Sequence, residues 1–205
     1  MKKVIFFPFN GNAKEAVDCL TNEYELIGFV DDSSDKWGLT YAGVKVYDRT
    51  FFELNSDALI LAVPGSSLNF KERENIINSL NFPSNRFTSI IHPDAKISKY
   101  SKIGNNTLIM SGVVITSNAI IGSNVCLLPN AIIHHDSIIG DFTIICSGVI
   151  VTGNCTIEAS CYIGSGSRII NGIKIGKSTL VGMGSNVLRS IPEESKVVGN
   201  PARFI

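Results

Sequence analysis

A surplus of charge of either sign is missing from this chain. Its 205 residues carry 18 lysines and arginines against 18 aspartates and glutamates, a formal net charge of 0. A protein that tracks a polyanion needs a basic surplus, so no nucleic-acid partner is expected. Charged residues are only 18% and hydrophobic ones 44%, which excludes a disordered chain and supplies ample material for a core. No apolar run approaches the roughly 20 residues that a membrane span requires, so no membrane partner is expected. Met1-Lys2-Lys3 followed by Val4-Ile5-Phe6-Phe7 has the charged start of a signal peptide. The apolar stretch is short, and Asn10, Gly11 and Asn12 interrupt it, so a first buried strand is the better reading. The five cysteines (Cys19, Cys126, Cys146, Cys155, Cys161) are odd in number and lack a Cys-x-x-Cys pair. They read as reduced, buried thiols in a cytoplasmic protein without a metal site.

What is abundant is a period of six. An aliphatic residue recurs at Ile91, Ile97, Ile103 and every sixth position through Ile175, Val181 and Val187, 17 times without a slip. With about a third of positions aliphatic, such a run arises by chance on the order of once in 10⁸. A helix needs a period of 3.6 and a strand a period of 2. A strict six fits a parallel β-helix of triangular section, with three short strands and three corners per coil. Residues one coil apart then stack at about 4.8 Å, and one aliphatic side chain per strand points into a dry axis. The position four residues after the aliphatic one is nearly always small or thin, as at Ala119, Ser137, Cys155 and Cys161, which suits a tight corner.

The first part of the chain lacks this period. Strands are expected at Lys2–Phe7, Tyr24–Val30, Val44–Tyr47 and Asp57–Val63, with helices at Ala13–Leu20, capped by Asn12, and Phe70–Leu80. Alternating strands and helices imply a small parallel sheet, a half-Rossmann unit. The division is an α/β domain over 1–86, an all-β helix of coils over 87–190, and a C-terminal cap over 191–205. Ile191-Pro192-Glu193-Glu194-Ser195 reads as a turn or short helix beyond the last coil.

Only three histidines are present, and His134 and His135 are adjacent, followed by Asp136. Ile133 faces inward in the six-residue frame, so His135 and Asp136 are free to leave the core. An imidazole beside a carboxylate suits general-base work. Adding 18 to 135 gives Gly153, one coil further on the same edge. Its bare N–H could face a developing oxyanion. His92 falls on another edge, beside Pro93. In the first part, Asn10-Gly11-Asn12 between a strand and a helix could approach a phosphate. Asp31 and Asp32 end the second strand and could accept hydrogen bonds from a base or ribose.

The repeat, the His-Asp pair and the ending Gly199-Asn200-Pro201-Ala202-Arg203 resemble the left-handed β-helix, hexapeptide-repeat acyltransferases over residues 88–205. With the strand-turn-helix first part, the whole chain resembles the NeuD/PglD family of sugar acetyltransferases, including its VioB-like members. The resemblance implies a homotrimer with sites at subunit interfaces. It implies acetyl-CoA as co-substrate in the groove between neighbouring β-helices, and a nucleotide-linked amino sugar on the N-terminal domain. The stretch His135-Asp136-Ser137-Ile138-Ile139-Gly140-Asp141-Phe142 matches the family's catalytic stretch. That match makes His135 the base, Asp136 its orienting partner and Gly153 the oxyanion amide. Asp31 and Asp32 match the pair that contacts the pyrimidine, and Gly199, Pro201 and Ala202 match the tail near the CoA adenine. Asn12 and Ile144 stand where family members carry histidines, which bears on the identity of the sugar. The implied reaction is acetyl transfer to the 4-amino group of a UDP- or dTDP-linked 4-amino-4,6-dideoxy sugar by direct attack. O-acetylation of a sugar of the sialic acid type, and a non-enzymatic binding or scaffold role, are the alternatives.

Overall fold

The computed structural model describes residues 1–205 as two stacked units. The first is a five-stranded sheet of β1 (Lys2–Phe7), β2 (Tyr24–Val30), β3 (Thr40–Tyr41), β4 (Val44–Tyr47) and β5 (Leu59–Ala62), in the order β3-β4-β2-β1-β5. All pairings are parallel except the short β3–β4 hairpin. Val4, Ile5, Phe6 and Phe7 are all buried, as an unbroken apolar strand must be when both faces of a parallel sheet are covered. Helices α1 (Gly11–Ala16), α2 (Thr50–Leu54) and α3 (Arg73–Asn78) cover those faces. The cap of α1 is Asn10, not Asn12: its Oδ1 accepts from the Ala13 N–H at 2.9 Å while its Nδ2 donates to the Val63 carbonyl at 3.0 Å. Asn10 wins because it alone has an extended backbone at the helix start, with φ −132° and ψ −175°.

The second unit is a left-handed parallel β-helix. Its 17 strands, β6 (Ile90–Ile91) to β22 (Asn186–Val187), are short, one per hexapeptide. Each pairs with the strand one coil further along the prism, as in Ile115↔Ile133↔Val151. Three faces result: a first beginning with β6, a second with β7 (Lys96–Ile97) and a third with β8 (Lys102–Ile103). Every inward aliphatic residue from Ile109 to Val187 is at most 2% exposed. The first coil departs from the expected dry axis, with Ile91 38% exposed and Ile97 and Ile103 half-buried, because no coil lies beneath it.

The small corner residues have a second job. Ser101, Thr107, Ser137, Thr143, Cys155, Cys161 and Ser167 each donate to a carbonyl in the next coil. Hydroxyls and thiols too short to reach solvent thus satisfy buried backbone between coils.

Beyond Val187 the expected turn is present at Glu193-Glu194, but it is a corner of a further coil rather than a stop beyond the last one. The coil continues on a shorter step than the hexapeptide frame sets. Ile191 is buried at 5% exposure and bridges Ile175, and Val197 pairs with Val181 in the same shortened register. The corner bond shortens in step, from the spacing that joins Thr143 to Glu158 to the tighter one that joins Thr179 to Pro192. A hairpin of β23 (Lys196–Val198) and β24 (Arg203–Phe204) then closes the end.

The sheet unit sits on the first face of the prism. Outward residues of that face, Ile90, Leu108, Cys126 and Ile144, are buried beneath it. The Asn106 side chain lies on the edge of β5, accepting from the Ala62 N–H at 2.8 Å and donating to the Ala62 carbonyl at 3.1 Å. Arg73 on α3 is fully buried and donates to the Asn124 carbonyl and to Cys126 Sγ, with a further bond to the Pro64 carbonyl. These contacts fix the sheet unit against the prism. Replacing Ile145, which is 0% exposed in the axis, by alanine is expected to cost about 2–5 kcal/mol, read as a lower urea midpoint.

Candidate active site

His135 and Asp136 lie at the corner between β13 (Ile132–Ile133) on the second face and β14 (Ile138–Ile139) on the third. Ile133 points inward with 0% exposure, and the two polar residues are exposed. Asp136 takes a left-handed backbone, φ +59°, which aspartate tolerates better than most residues. Its Oδ2 lies 2.8 Å from His135 Nδ1, and its Oδ1 accepts from Asn118 Nδ2 at 3.1 Å. The bonds from His135 and then Asn118 hold the Asp136 carboxyl below the usual carboxylate range. It is therefore ionised wherever an imidazole titrates. An ionised carboxylate only accepts, so Nδ1 carries the proton of the neutral ring and Nε2 presents a lone pair.

Gly153 occupies the same edge one coil further, where the Asn154 N–H donates to the His135 carbonyl at 2.9 Å. A Cβ on Gly153 would meet His135 Nε2 at 2.5 Å and Cε1 at 2.6 Å. The glycine therefore makes room for the ring. Its N–H has no acceptor within the chain.

The other predicted residues gather elsewhere. Two depressions of about 310 and 300 Å³ share Asn10, Gly65 and Ser66, the first lying between the sheet unit and the first face and the second within the sheet unit. Gly11, Asn12, Leu128, Ile144, Cys146 and Tyr162 complete one, and Asp31, Asp32 and Lys36 help line the other. Asp31 is 3% exposed and already spent: its carboxylate accepts from the Phe9 N–H, the Ser33 N–H and Lys36 Nζ, each at 2.9 Å. Asp32 is the open member, held by Arg49 through bonds of 2.6 and 2.8 Å. Gly199 and Ala202 anchor the terminal hairpin, their N–H groups donating to Ser185 Oγ at 3.1 Å and to the Asn186 carbonyl at 2.8 Å, with Pro201 exposed between them.

One chain does not bring these groups together. One depression lies against the first face and the other beside it on the sheet unit, whereas His135 lies on the corner between the second and third faces, across the prism. Asn118, Lys36, Arg49 and Arg73 were not among the residues expected from sequence. Asn118 alone left a signal, since it precedes Asp136 by one full coil.

The family described as "Bacterial transferase hexapeptide (six repeats)" matches residues 100–131 and 118–153. Residues 100–153 thus match the hexapeptide repeat, and the fold is that of a left-handed β-helix. Serine acetyltransferase 4 of Arabidopsis thaliana is 35% identical over 115 residues, 56% of this chain and 28% of that protein. The Bacillus licheniformis serine acetyltransferase shares 30% over 58% of this chain and 49% of that protein, so the chain spans about a quarter to a half of these relatives. The acetyltransferase domain of PglB from Neisseria gonorrhoeae aligns over 100% of both chains at 25% identity and TM-score 0.87. PerB from Caulobacter crescentus, in complex with CoA and GDP-perosamine, aligns over 100% of this chain and 97% of that one at 22% identity and TM-score 0.85, a likeness of fold.

The thiol that lines the pocket is not poised as a nucleophile. Cys146 lines the depression on the first face, but burial pushes its thiol up to about 11, so it stays protonated at neutral pH. Substituting alanine at Gly153 tests the packing under the imidazole. The backbone there lies outside the left-handed region, so alanine is expected to leave the melting temperature nearly unchanged while shifting the His135 ring resonances. Unmoved resonances would show that the ring does not rest on Gly153.

Proposed function

We propose that this chain is an acetyltransferase that moves the acetyl group of acetyl-CoA to the 4-amino group of a nucleotide-linked 4-amino-4,6-dideoxy sugar. The observation that carries the proposal is the His135–Asp136 pair, with Nδ1 engaged, Nε2 unbonded and a bare glycine against it. Nε2 takes the proton as the amine nitrogen attacks the thioester carbonyl. The Gly153 N–H faces the oxyanion, the C–S bond breaks, and the proton passes from His135 to the departing CoA thiolate. Protonated, buried thiols favour this direct route over an acyl-cysteine.

The site is assembled from two copies. The proposed sugar-nucleotide pocket of one chain, with Asn10, Gly11, Asn12 and Asp32 on its walls and Asp31 bracing it, faces the His135 edge of a neighbour in a homotrimer. Two observations support that arrangement. The pocket and His135 are on opposite sides of a single prism. The outward residues flanking His135 are apolar: Val114, Ile132 and Ile150 on the second face, Ile120 and Ile138 on the third, the last two each 42% exposed. Acetyl-CoA then lies between neighbouring prisms. Its nucleotide end reaches the Gly199, Pro201 and Ala202 hairpin, whose anchor Asn186 stands three coils, about 14 Å, beyond Ile132.

The test is free-thiol release from acetyl-CoA with UDP-, dTDP- and GDP-linked 4-amino-4,6-dideoxy sugars side by side. One of them is expected to release CoA rapidly, and His135→Ala to lower kcat by about 10²–10⁴. Release with hydroxy sugars alone would move the assignment to O-acetylation, and a His135→Ala protein with wild-type turnover would sink the mechanism. Light scattering is expected to report a trimer that Ile138→Asp dissociates, with loss of activity. A fully active monomer would remove the shared site.

A further inference from the structure

We propose that Asn118 is a positioning residue for this reaction, holding Asp136 in the orientation that keeps His135 Nε2 aimed at the substrate. The inference rests on the acetyltransferase reading above. Its basis is geometric. Asn118 stands one coil before Asp136, where the ladder pairs Ile120 with Ile138. Its Nδ2 donates to Asp136 Oδ1 at 3.1 Å, and the other carboxylate oxygen, Oδ2, lies 2.8 Å from His135 Nδ1. The two bonds use one oxygen each. A carboxylate on a single bond to the ring can rotate about its own Cβ–Cγ axis, and the amide removes that freedom. Both residues hold nearly the same left-handed backbone, φ +60° and +59°. The rigid ladder beneath them therefore sets the donor–acceptor distance.

A plainer role is available. Asn106, Asn124, Asn130 and Asn154 occupy left-handed corners of the same kind, where asparagine is a good backbone fit. Asn118 differs from Asn130 and Asn154 in having its amide bonded to the partner of the proposed base. Other titratable groups on this edge are Tyr100 and Lys99 one coil before Asn118, His134 beside the ring, and buried Cys155. None hydrogen-bonds to the Asn118–Asp136–His135 chain. Asp136 is thus the one carboxylate acting on the ring from this edge.

Two variants separate positioning from backbone fit. Asn118→Gly keeps the left-handed corner at no steric cost and removes the amide. It is expected to melt within a few degrees of wild type and to lose about 5–20-fold in kcat at every pH, with the acetyl-CoA KM within about 2-fold. Asn118→Asp also suits the corner and replaces a donor by a second negative charge. That charge favours the imidazolium, so the His135 titration midpoint followed by NMR should move up by about 0.5–1 pH unit. The acid limb of kcat/KM should move with it, so turnover lost near neutrality returns at higher pH. NMR titration needs no substrate. A shifted curve in a protein that transfers no acetyl group would retire the acetyltransferase reading and leave the contact to Asp136 standing. Wild-type kcat for Asn118→Gly, with a wild-type titration curve for Asn118→Asp, would overturn the proposal and reduce Asn118 to a corner residue.

Discussion

Everything in the β-helix depends on the parallel ladder that joins each residue to its counterpart one coil on. Its register has no slack. A shift of one residue would turn every aliphatic side chain out of the axis and every polar one in. Seventeen aliphatic residues therefore impose a lattice on all the others. That lattice places Gly153 against the imidazole of His135 and Asn118 against the carboxylate of Asp136. The corner hydroxyls and thiols reinforce it, since each ties its own coil to the next. A site at such a corner inherits the rigidity of the whole prism without any loop to order.

Legibility followed periodicity. From Ile91 to Val187 the repeat fixes the strand positions and the relation of His135 to Gly153, and from Ile109 onward the inward residues are buried as the spacing implies. Where the period lapses, so does the reading. The turn expected after Val187 is there at Glu193-Glu194, but the shortened step hid that it is a corner of a continuing coil, with Ile191 and Val197 still in the axis. In the α/β part, strand positions were legible from runs such as Val4–Phe7. The cap fell on Asn10 rather than Asn12 because cap geometry depends on where the chain turns, not on residue type alone. The commitment of Asp31 to the Phe9 N–H and Lys36 was invisible for a different reason. Those partners lie on either side of it at unrelated distances along the chain, and no repeat connects them. Asn118 was readable in principle, since the arithmetic that gave Gly153 works in both directions.

The two aspartates at the end of β2 show how adjacent identical residues divide their work. Asp31 is buried, and each of its oxygens accepts within the chain. It braces the β1–α1 turn against the segment after β2, so its charge is compensated locally by Lys36. Asp32 is exposed on the pocket rim and held in plane by the Arg49 fork. A bidentate arginine fixes a carboxylate without consuming every lone pair, which leaves an oriented acceptor available. A sequence pattern that treats the pair as equivalent ligands overlooks this division.

The position of the pocket relative to the proposed base has a consequence for how activity and assembly are linked. A triangular prism offers one face and its opposite corner no common surface. With the α/β unit clamped to the first face by Arg73 and Asn106, a hinge cannot carry the pocket around to His135. Only a second prism can bring a His135 corner to the pocket. The apolar strips beside that corner give the second prism a reason to dock, since isoleucines left 42% exposed on two flanking strands gain by burial. The same residues that would drive association thus border the residues that would do the chemistry. On the proposed function, acetyl transfer would be a property of the assembled oligomer, and mutations that weaken the strips should act on turnover through the fraction assembled.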